Sequence, residues 1–289
     1  MNELQSIVFG VLTGSFFALI ALGISLAWGF LKVINLSHFG LVLIGSYLTF
    51  QLATSTGMNP IATVAVTAPA MFALGALIQW GFERFEVSEL NSLLISYGIL
   101  IIMIQVVQNT WSADFQRMDP GVNPYFVQSI AIGQLRFPVP TLLAAGFAIA
   151  LVLLAHYVLE KTYAGRALQA FGQDRQISSA FGIDHRLLGV LLAGATGASG
   201  AIAGMLHALG QTLSPDAPFE WVGRVFAIVI LGGIGNVTGT LYAGLLVGAV
   251  AGAVTFIWSA SVAPLVVFSL VVLALIFRPQ GLFLRKAEH

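Results

Sequence analysis

Long apolar segments recur along the chain and restrict its possible folds more than any other feature. The 289 residues contain eight of them: 7–31, 39–54, 61–82, 90–111, 139–159, 187–209, 225–257 and 262–277. A helix that crosses a bilayer needs about 20 apolar residues, and most of these segments have that length. Their apolar runs are continuous, whereas the strands of a transmembrane β-barrel alternate apolar and polar residues. The sequence therefore predicts a helical membrane protein.

The composition agrees with this prediction. Only 8% of the residues are charged, whereas an average soluble protein carries about 25%. The mean hydropathy is +0.93 and the net charge is zero, which argues against nucleic-acid binding because no excess of positive charge can neutralise phosphates. The chain contains no Cys, which excludes disulfides, thiolate metal sites and a cysteine nucleophile.

One apolar segment, 225–257, is too long for a single membrane-spanning helix. It is interrupted by Gly232-Gly233-Ile234-Gly235-Asn236, and we expect a break there. Segments 39–54 and 262–277 are shorter than the about 20 residues of a typical membrane-spanning helix. The predicted fold is an all-α membrane protein with about eight transmembrane helices, at least one of them broken or short, in a single transmembrane domain over residues 1–289.

The distribution of Lys and Arg predicts the orientation in the membrane. Connection 160–186 and the tail after residue 277 hold seven of the twelve basic residues, so both are expected in the cytoplasm. The N-terminus then lies outside, together with Arg117, Arg136 and Arg224, and the broken run contributes two passes.

The sequence contains no familiar motif for catalysis, nucleotide binding or metal binding. No Lys stands in a P-loop, no HExxH or GxSxG occurs, and we predict no catalytic residue and no metal site. The twelve acidic residues fall outside the apolar segments, which argues against ion-coupled transport. The polar residues expected inside helices are uncharged: Asn91, Ser92, Ser96, Gln105, Gln108, Asn109, Thr196, Ser199 and His207.

Connection 160–186 contains a pattern for a short amphipathic helix. Asp174 can cap a helix over residues 175–181, and Gly182 can end it. Its small apolar face would consist of Ile177, Ala180 and Phe181. Such a helix either lies on the membrane surface or docks into a partner protein.

At this connection the sequence resembles a known family. Gly165-Arg166-Ala167 and Ala180-Phe181-Gly182-Ile183 look like the ATPase-coupling loop of bacterial ABC importer permeases, and the match is closest to the high-affinity branched-chain amino acid permease family. Three other stretches resemble signatures of that family. The first leads from Ala18-Leu19-Ile20-Ala21-Leu22-Gly23 through Trp28-Gly29 to Val33-Ile34-Asn35-Leu36-Ser37-His38 and Gly45-Ser46-Tyr47. The second is Leu231-Gly232-Gly233-Ile234-Gly235-Asn236-Val237-Thr238-Gly239, and the third is Arg278-Pro279-Gln280-Gly281-Leu282-Phe283. The likeness extends over residues 7–284.

The resemblance implies a permease subunit of an ABC importer in the bacterial inner membrane, forming the pathway for branched-chain or other hydrophobic amino acids. It implies that this chain binds no cofactor and is not an enzyme, and that ATP is hydrolysed on partner subunits. The implied partners are a second permease subunit, cytoplasmic ATPase subunits and a periplasmic substrate-binding protein. Two alternatives stay open: an ABC permease for urea or short amides, and a stand-alone secondary transporter or channel.

The resemblance also nominates site residues. The residues assigned to ATPase coupling are Gly165, Arg166, Asp174, Ile177, Ala180, Phe181 and Gly182. The residues assigned to the pathway are Asn35, Ser37, His38, Gly232, Gly233, Gly235 and Asn236.

Two interpretations of the first pathway group remain. Asn35, Ser37 and His38 form either a capped turn at the membrane interface or the start of a helix inside the membrane, whose partial positive charge favours a substrate carboxylate. The glycines of 194–204 and 244–252 are spaced for close helix packing.

Overall fold

The computed structural model describes residues 3–173, 184–278 and 281–283, and most of them are helical. The ten helices are α1 Glu3–Leu26, α2 Ser37–Thr56, α3 Val64–Arg84, α4 Glu89–Trp111, α5 Val139–Lys161, α6 Tyr163–Gln173, α7 His185–Gly210, α8 Ala217–Gly232, α9 Val237–Ile257 and α10 Ala263–Phe277. A π-helical turn, Ala27–Leu31, extends α1. One antiparallel hairpin, β1 Ser129–Ile132 and β2 Leu135–Pro138, precedes α5. The predicted all-α class is confirmed.

Seven of these helices are long and apolar enough to cross a membrane: α1 with its π-helical turn, α2, α3, α4, α5, α7 and α9. Helix α10 is a shorter apolar helix, and α8 has only 16 residues. The predicted break is confirmed, because α8 ends at Gly232 and α9 begins at Val237. The expectation of a short second helix is wrong, since α2 extends over 20 residues, Ser37–Thr56.

Local sequence explains where several helices begin and end. The side chain of Asp184 accepts hydrogen bonds from the backbone N–H groups of Arg186 and Leu187 and so caps α7. Helices α5, α8 and α10 have a proline in their first turn, where its missing N–H is not needed. Gly57 ends α2 at φ +69°, a conformation that glycine adopts without strain.

The helices form a bundle with two distinct ends. At the end we call the coupling end, the Trp28 indole N–H donates to the Glu89 carboxylate over 3.3 Å, next to the start of α4. At the opposite end, the Arg136 backbone N–H donates to the side chain of Gln5 over 2.8 Å.

Basic residues separate between these two ends. Six basic residues lie at or next to helix ends at the coupling end: Lys32, Arg84, Lys161, Arg166, Arg186 and Arg278. Arg117 and Arg136 lie in the connection between α4 and α5, at the opposite end. This distribution agrees with the predicted orientation, in which the coupling end faces the cytoplasm.

Glycine stripes let the central helices approach each other closely. Helix α9 packs on α1 so tightly that a methyl group on Gly248 would collide with the backbone oxygen of Gly10. Helix α7 meets α2 in the same way, and a methyl group on Gly204 would lie 2.6 Å from the Ser46 nitrogen. These contacts confirm that the stripes serve helix packing.

Candidate functional site

The glycine-rich break after α8 is held in a conformation that favours glycine. Gly233 has φ +88° and Gly235 has φ +80°, in a region that other residues rarely adopt. Asn236 then caps α9, because its side-chain oxygen accepts from the Gly239 N–H over 3.0 Å. The break therefore ends one helix and starts the next within four residues.

The break packs directly on the π-helical turn of α1. Gly29 lies so close to Gly235 that a methyl group on Gly29 would collide with the Gly235 Cα atom. The Gly235 N–H donates to the Ser25 hydroxyl over 3.1 Å. The first and second signature regions, far apart in sequence, thus touch through their backbones.

The C-terminal signature completes this contact. The Leu282 N–H donates to the Leu231 carbonyl over 2.8 Å, and the Asn236 amide donates to the Phe283 carbonyl over 3.0 Å. A methyl group on Gly281 would lie 2.9 Å from the Gly233 Cα atom. The tail is therefore fastened across the break.

Helix α6 brings the loop of the predicted coupling residues to the same place. A methyl group added to its residue Gly172 would lie 3.3 Å from the Phe30 ring and 3.5 Å from the Gly29 carbonyl oxygen. We call the assembly of the π-helical turn, the break Gly233–Asn236, residues 281–283 and the end of α6 the junction. The junction connects α6, at the coupling end, to two helices of the bundle.

The sequence analysis did not predict helix α6, because it placed the helix of this loop at residues 175–181. Its buried side is formed by Gly165, Leu168 and Phe171, three residues apart, a spacing that was available as a signal. Gly165 has no room for a side chain, because a methyl group there would collide with the backbone of Leu159. Arg166 is exposed, with its guanidinium 4.8 Å from the Tyr163 ring centroid.

Five predicted coupling residues lie outside the described residues: Asp174, Ile177, Ala180, Phe181 and Gly182. The coupling role of the whole group stays a prediction.

The group at the start of α2 lies within the depth of the bundle. The Leu36 N–H donates to the Ser96 hydroxyl over 2.9 Å, and that hydroxyl donates to the Ile34 carbonyl over 3.1 Å. Ser96 is seven residues beyond the start of α4 at Glu89, about 10 Å along the helix. Helix α2 therefore begins inside the bundle rather than at its surface.

The side chains of this group are buried. Asn35 accepts from the N–H and the hydroxyl of Ser37 and so fixes the first turn of α2. The His38 ring is only 3% exposed and fills the space above Gly23 and beside Gly200. These residues position α2, and their direct contact with a solute stays a prediction.

The predicted burial of uncharged polar residues is partly wrong. Ser92, Ser96, Thr196 and His207 are buried, but Asn91, Gln105 and Asn109 are exposed. The reason is the exposed face of α4, on which the Gln105 amide donates to Asn109 over 3.2 Å.

Two charged residues lie on α8. Both precede the apolar segment 225–257, and the assignment of Arg224 to the outer side stays a prediction. In the structure α8 begins at Ala217, so Glu220 and Arg224 both lie on a helix of the bundle. The Arg224 guanidinium lies 5.3 Å from the ring of Phe17, the central residue of the 29-residue stretch Glu3–Leu31.

This architecture is that of a multi-pass helical membrane protein, with a broken helix fastened to residues 281–283 and, through the π-helical turn, to helix α6. The family description that matches residues 6–277 is "Branched-chain amino acid transport system / permease component". The chain belongs to this family, and it is a multi-pass protein of the inner membrane.

Individual relatives cover nearly the same length. The high-affinity branched-chain amino acid transport system permease protein LivH of Salmonella typhimurium is 28% identical, over 96% of this chain and 94% of LivH. BraD of Pseudomonas aeruginosa, with the same description, is 26% identical over 97% of this chain and 95% of its own. A probable LivH of Methanocaldococcus jannaschii is 24% identical over 82% and 76%. No solved structure matches the chain significantly.

Proposed function

We propose that the chain is the permease subunit of an ABC importer and forms the translocation pathway for branched-chain or other hydrophobic amino acids. ATP is hydrolysed on cytoplasmic ATPase subunits, while a periplasmic binding protein delivers the solute. A second permease subunit, homologous or identical, completes the pathway. The chain itself contributes no catalytic group.

The observation that carries this proposal is the family match over residues 6–277. It covers the helical bundle except for the first three residues of α1. The relatives from Salmonella and Pseudomonas, which match over almost their entire length, are named as permeases for branched-chain amino acids. A shared membrane domain of this extent supports a shared transport role.

The junction supports coupling to a cytoplasmic partner. Helix α6 is amphipathic, with Leu168 and Phe171 buried and Arg166 and Gln173 exposed. A partner that moves connection 160–186 would push on Gly172 and thereby on the π-helical turn and the break. Packed interfaces of this kind transmit displacement because protein interiors are close-packed and resist compression.

The test is co-expression of the chain with candidate partner subunits encoded beside it, followed by purification and transport assays in proteoliposomes. We expect a stable complex with ATPase subunits and uptake of leucine, isoleucine and valine that exceeds uptake of urea or acetamide. Uptake of urea or acetamide in preference to amino acids would support the amide alternative and contradict the proposed substrate. Uptake by the chain alone, driven by an ion gradient, would contradict the ABC assignment.

A further inference from the structure

Helix α8 carries two opposite charges at the middle of the bundle. Phe17, beside Arg224, lies about 21 Å from each end of the Glu3–Leu31 stretch at 1.5 Å per residue. Glu220 stands one turn before Arg224 and therefore on the same helix face. Both residues are exposed in the isolated chain.

Neither charge is neutralised by the described part of the chain. Within residues 3–173, 184–278 and 281–283, Arg224 and Glu220 have no ion pair or hydrogen bond, and the Arg224 guanidinium lies 5.3 Å from the centroid of the Phe17 ring. An ionised side chain at this depth is costly against lipid, and such residues almost always face a water-filled cavity or other protein. The exposed face of α8 therefore borders a water-filled space or other protein rather than lipid.

An apolar cleft of about 290 Å³ lies beside Arg224, between α1, α8, α9 and α10. Phe17, Ile228 and Phe268 are among the residues that line it, and Arg224 is its one charged residue within the described ranges. The hydroxyls of Ser6, Thr13 and Thr255 in its wall are occupied by hydrogen bonds to backbone carbonyls. Among the described side chains of this cleft, the guanidinium is therefore the hydrogen-bond donor that stays free.

We propose that Arg224 and Glu220 bind the charged groups of the amino acid as it crosses the membrane. Arg224 pairs with the α-carboxylate, Glu220 pairs with the α-ammonium group, and the apolar side chain occupies the cleft. This assignment rests on the proposed function and names residues that recognise its substrate class.

The chemistry of the three features matches a hydrophobic zwitterion. A guanidinium presents several N–H donors in the geometry that a carboxylate accepts, and such charged pairs are strong where water is restricted. Side chains four residues apart on a helix are neighbours, so one small molecule with adjacent opposite charges can contact both. The cleft volume is at the lower limit of about 300–1,000 Å³ for ligand pockets, which suits a solute of this size.

The absence of Cys from the chain allows a direct test. Arg224→Cys is made in the complete importer, with partner subunits free of reactive thiols, and leucine uptake is measured in proteoliposomes. We expect uptake to fall about tenfold or more, as for loss of a charged hydrogen bond. Methanethiosulfonate ethylammonium, which restores a positive charge, should recover much of the uptake, whereas the neutral methyl methanethiosulfonate should not. Glu220→Gln should lower uptake several-fold.

The matched control is Arg136→Cys, on the exposed hairpin at the opposite end. It should react with both reagents without a change in uptake. Assembly with the ATPase subunits should be unaltered in every variant, which separates a binding defect from misfolding, and basal ATP hydrolysis should be unaltered in Arg136→Cys.

Three results would overturn the inference. Normal uptake in Arg224→Cys would contradict a contact between Arg224 and the carboxylate. Equal recovery by the neutral reagent would show that transport requires the bulk of the side chain and not its charge. Reaction only with a membrane-soluble maleimide would place position 224 against lipid. A wild-type complex that takes up no amino acid would instead contradict the proposed function, so the two failures are distinguishable.

Discussion

Adding one methyl group at Gly235 should impair transport without preventing folding. The residue has φ +80°, and a left-handed conformation destabilises a non-glycine residue by about 1–2 kcal/mol. The new Cβ would also lie 3.2 Å from the Gly29 Cα atom, a tight contact across the junction. Together these effects disfavour the observed conformation of the break by about 2 kcal/mol, or roughly thirtyfold in its population relative to alternatives.

The assay is leucine uptake by proteoliposomes that contain equal amounts of assembled importer. We expect Gly235→Ala to lower the rate at least several-fold. The control is Gly146→Ala, because Gly146 lies in α5 with no atom within 4 Å of an added methyl group. Gly248→Ala provides a second comparison: its methyl group collides with the Gly10 oxygen, so it should reduce the yield of folded protein.

Normal uptake by Gly235→Ala would refute the argument that the break must hold this conformation. A loss of uptake in Gly146→Ala as large as in Gly235→Ala would refute the specificity of the junction, since any added methyl group would then suffice.

Three further outcomes are expected. Gln173→Cys, in the exposed end of α6, should resist a membrane-impermeant thiol reagent added to intact cells, and rapid labelling from outside would reverse the orientation. Ala180→Arg, in the part of the coupling loop outside the described residues, should abolish stimulation of ATP hydrolysis by the loaded binding protein, and unchanged stimulation would disprove docking through this face. Asn236→Ala removes the cap of α9 and the contact with Phe283, so it should destabilise the protein by about 1–2 kcal/mol in thermal unfolding, whereas the same change at the exposed Asn91 should have little effect.

The fold was predictable where hydrophobicity alone determines structure. Continuous apolar segments indicated the spanning helices. Three glycines beside Asn236 indicated the break, because clustered glycines destabilise a helix and Asn caps the next one. The start of α2 was less predictable. Its position inside the bundle depends on hydrogen bonds between residues 34–36 and Ser96, which lies about sixty residues later in the sequence.

The candidate site was predictable as a set of separate signatures but not as an assembly. Nothing in the sequence shows that Gly29, Gly235 and Gly281 approach one another, since such contacts arise from the packing of distant helices. The contact of Arg224 with α1 was not predictable for a related reason. The apolar segment begins only at residue 225, whereas α8 begins at Ala217 and brings the guanidinium beside Phe17, near the centre of α1.

The central claim is that this chain forms a pathway opened by ATP hydrolysis on partner subunits. Its most direct test is leucine uptake by proteoliposomes that contain the chain, its permease partner, the ATPase subunits and the loaded binding protein. We expect uptake with ATP at the cytoplasmic face, and none when ATP is replaced by a non-hydrolysable analogue or when the ATPase subunits are omitted. Sustained uptake without the ATPase subunits would contradict the account.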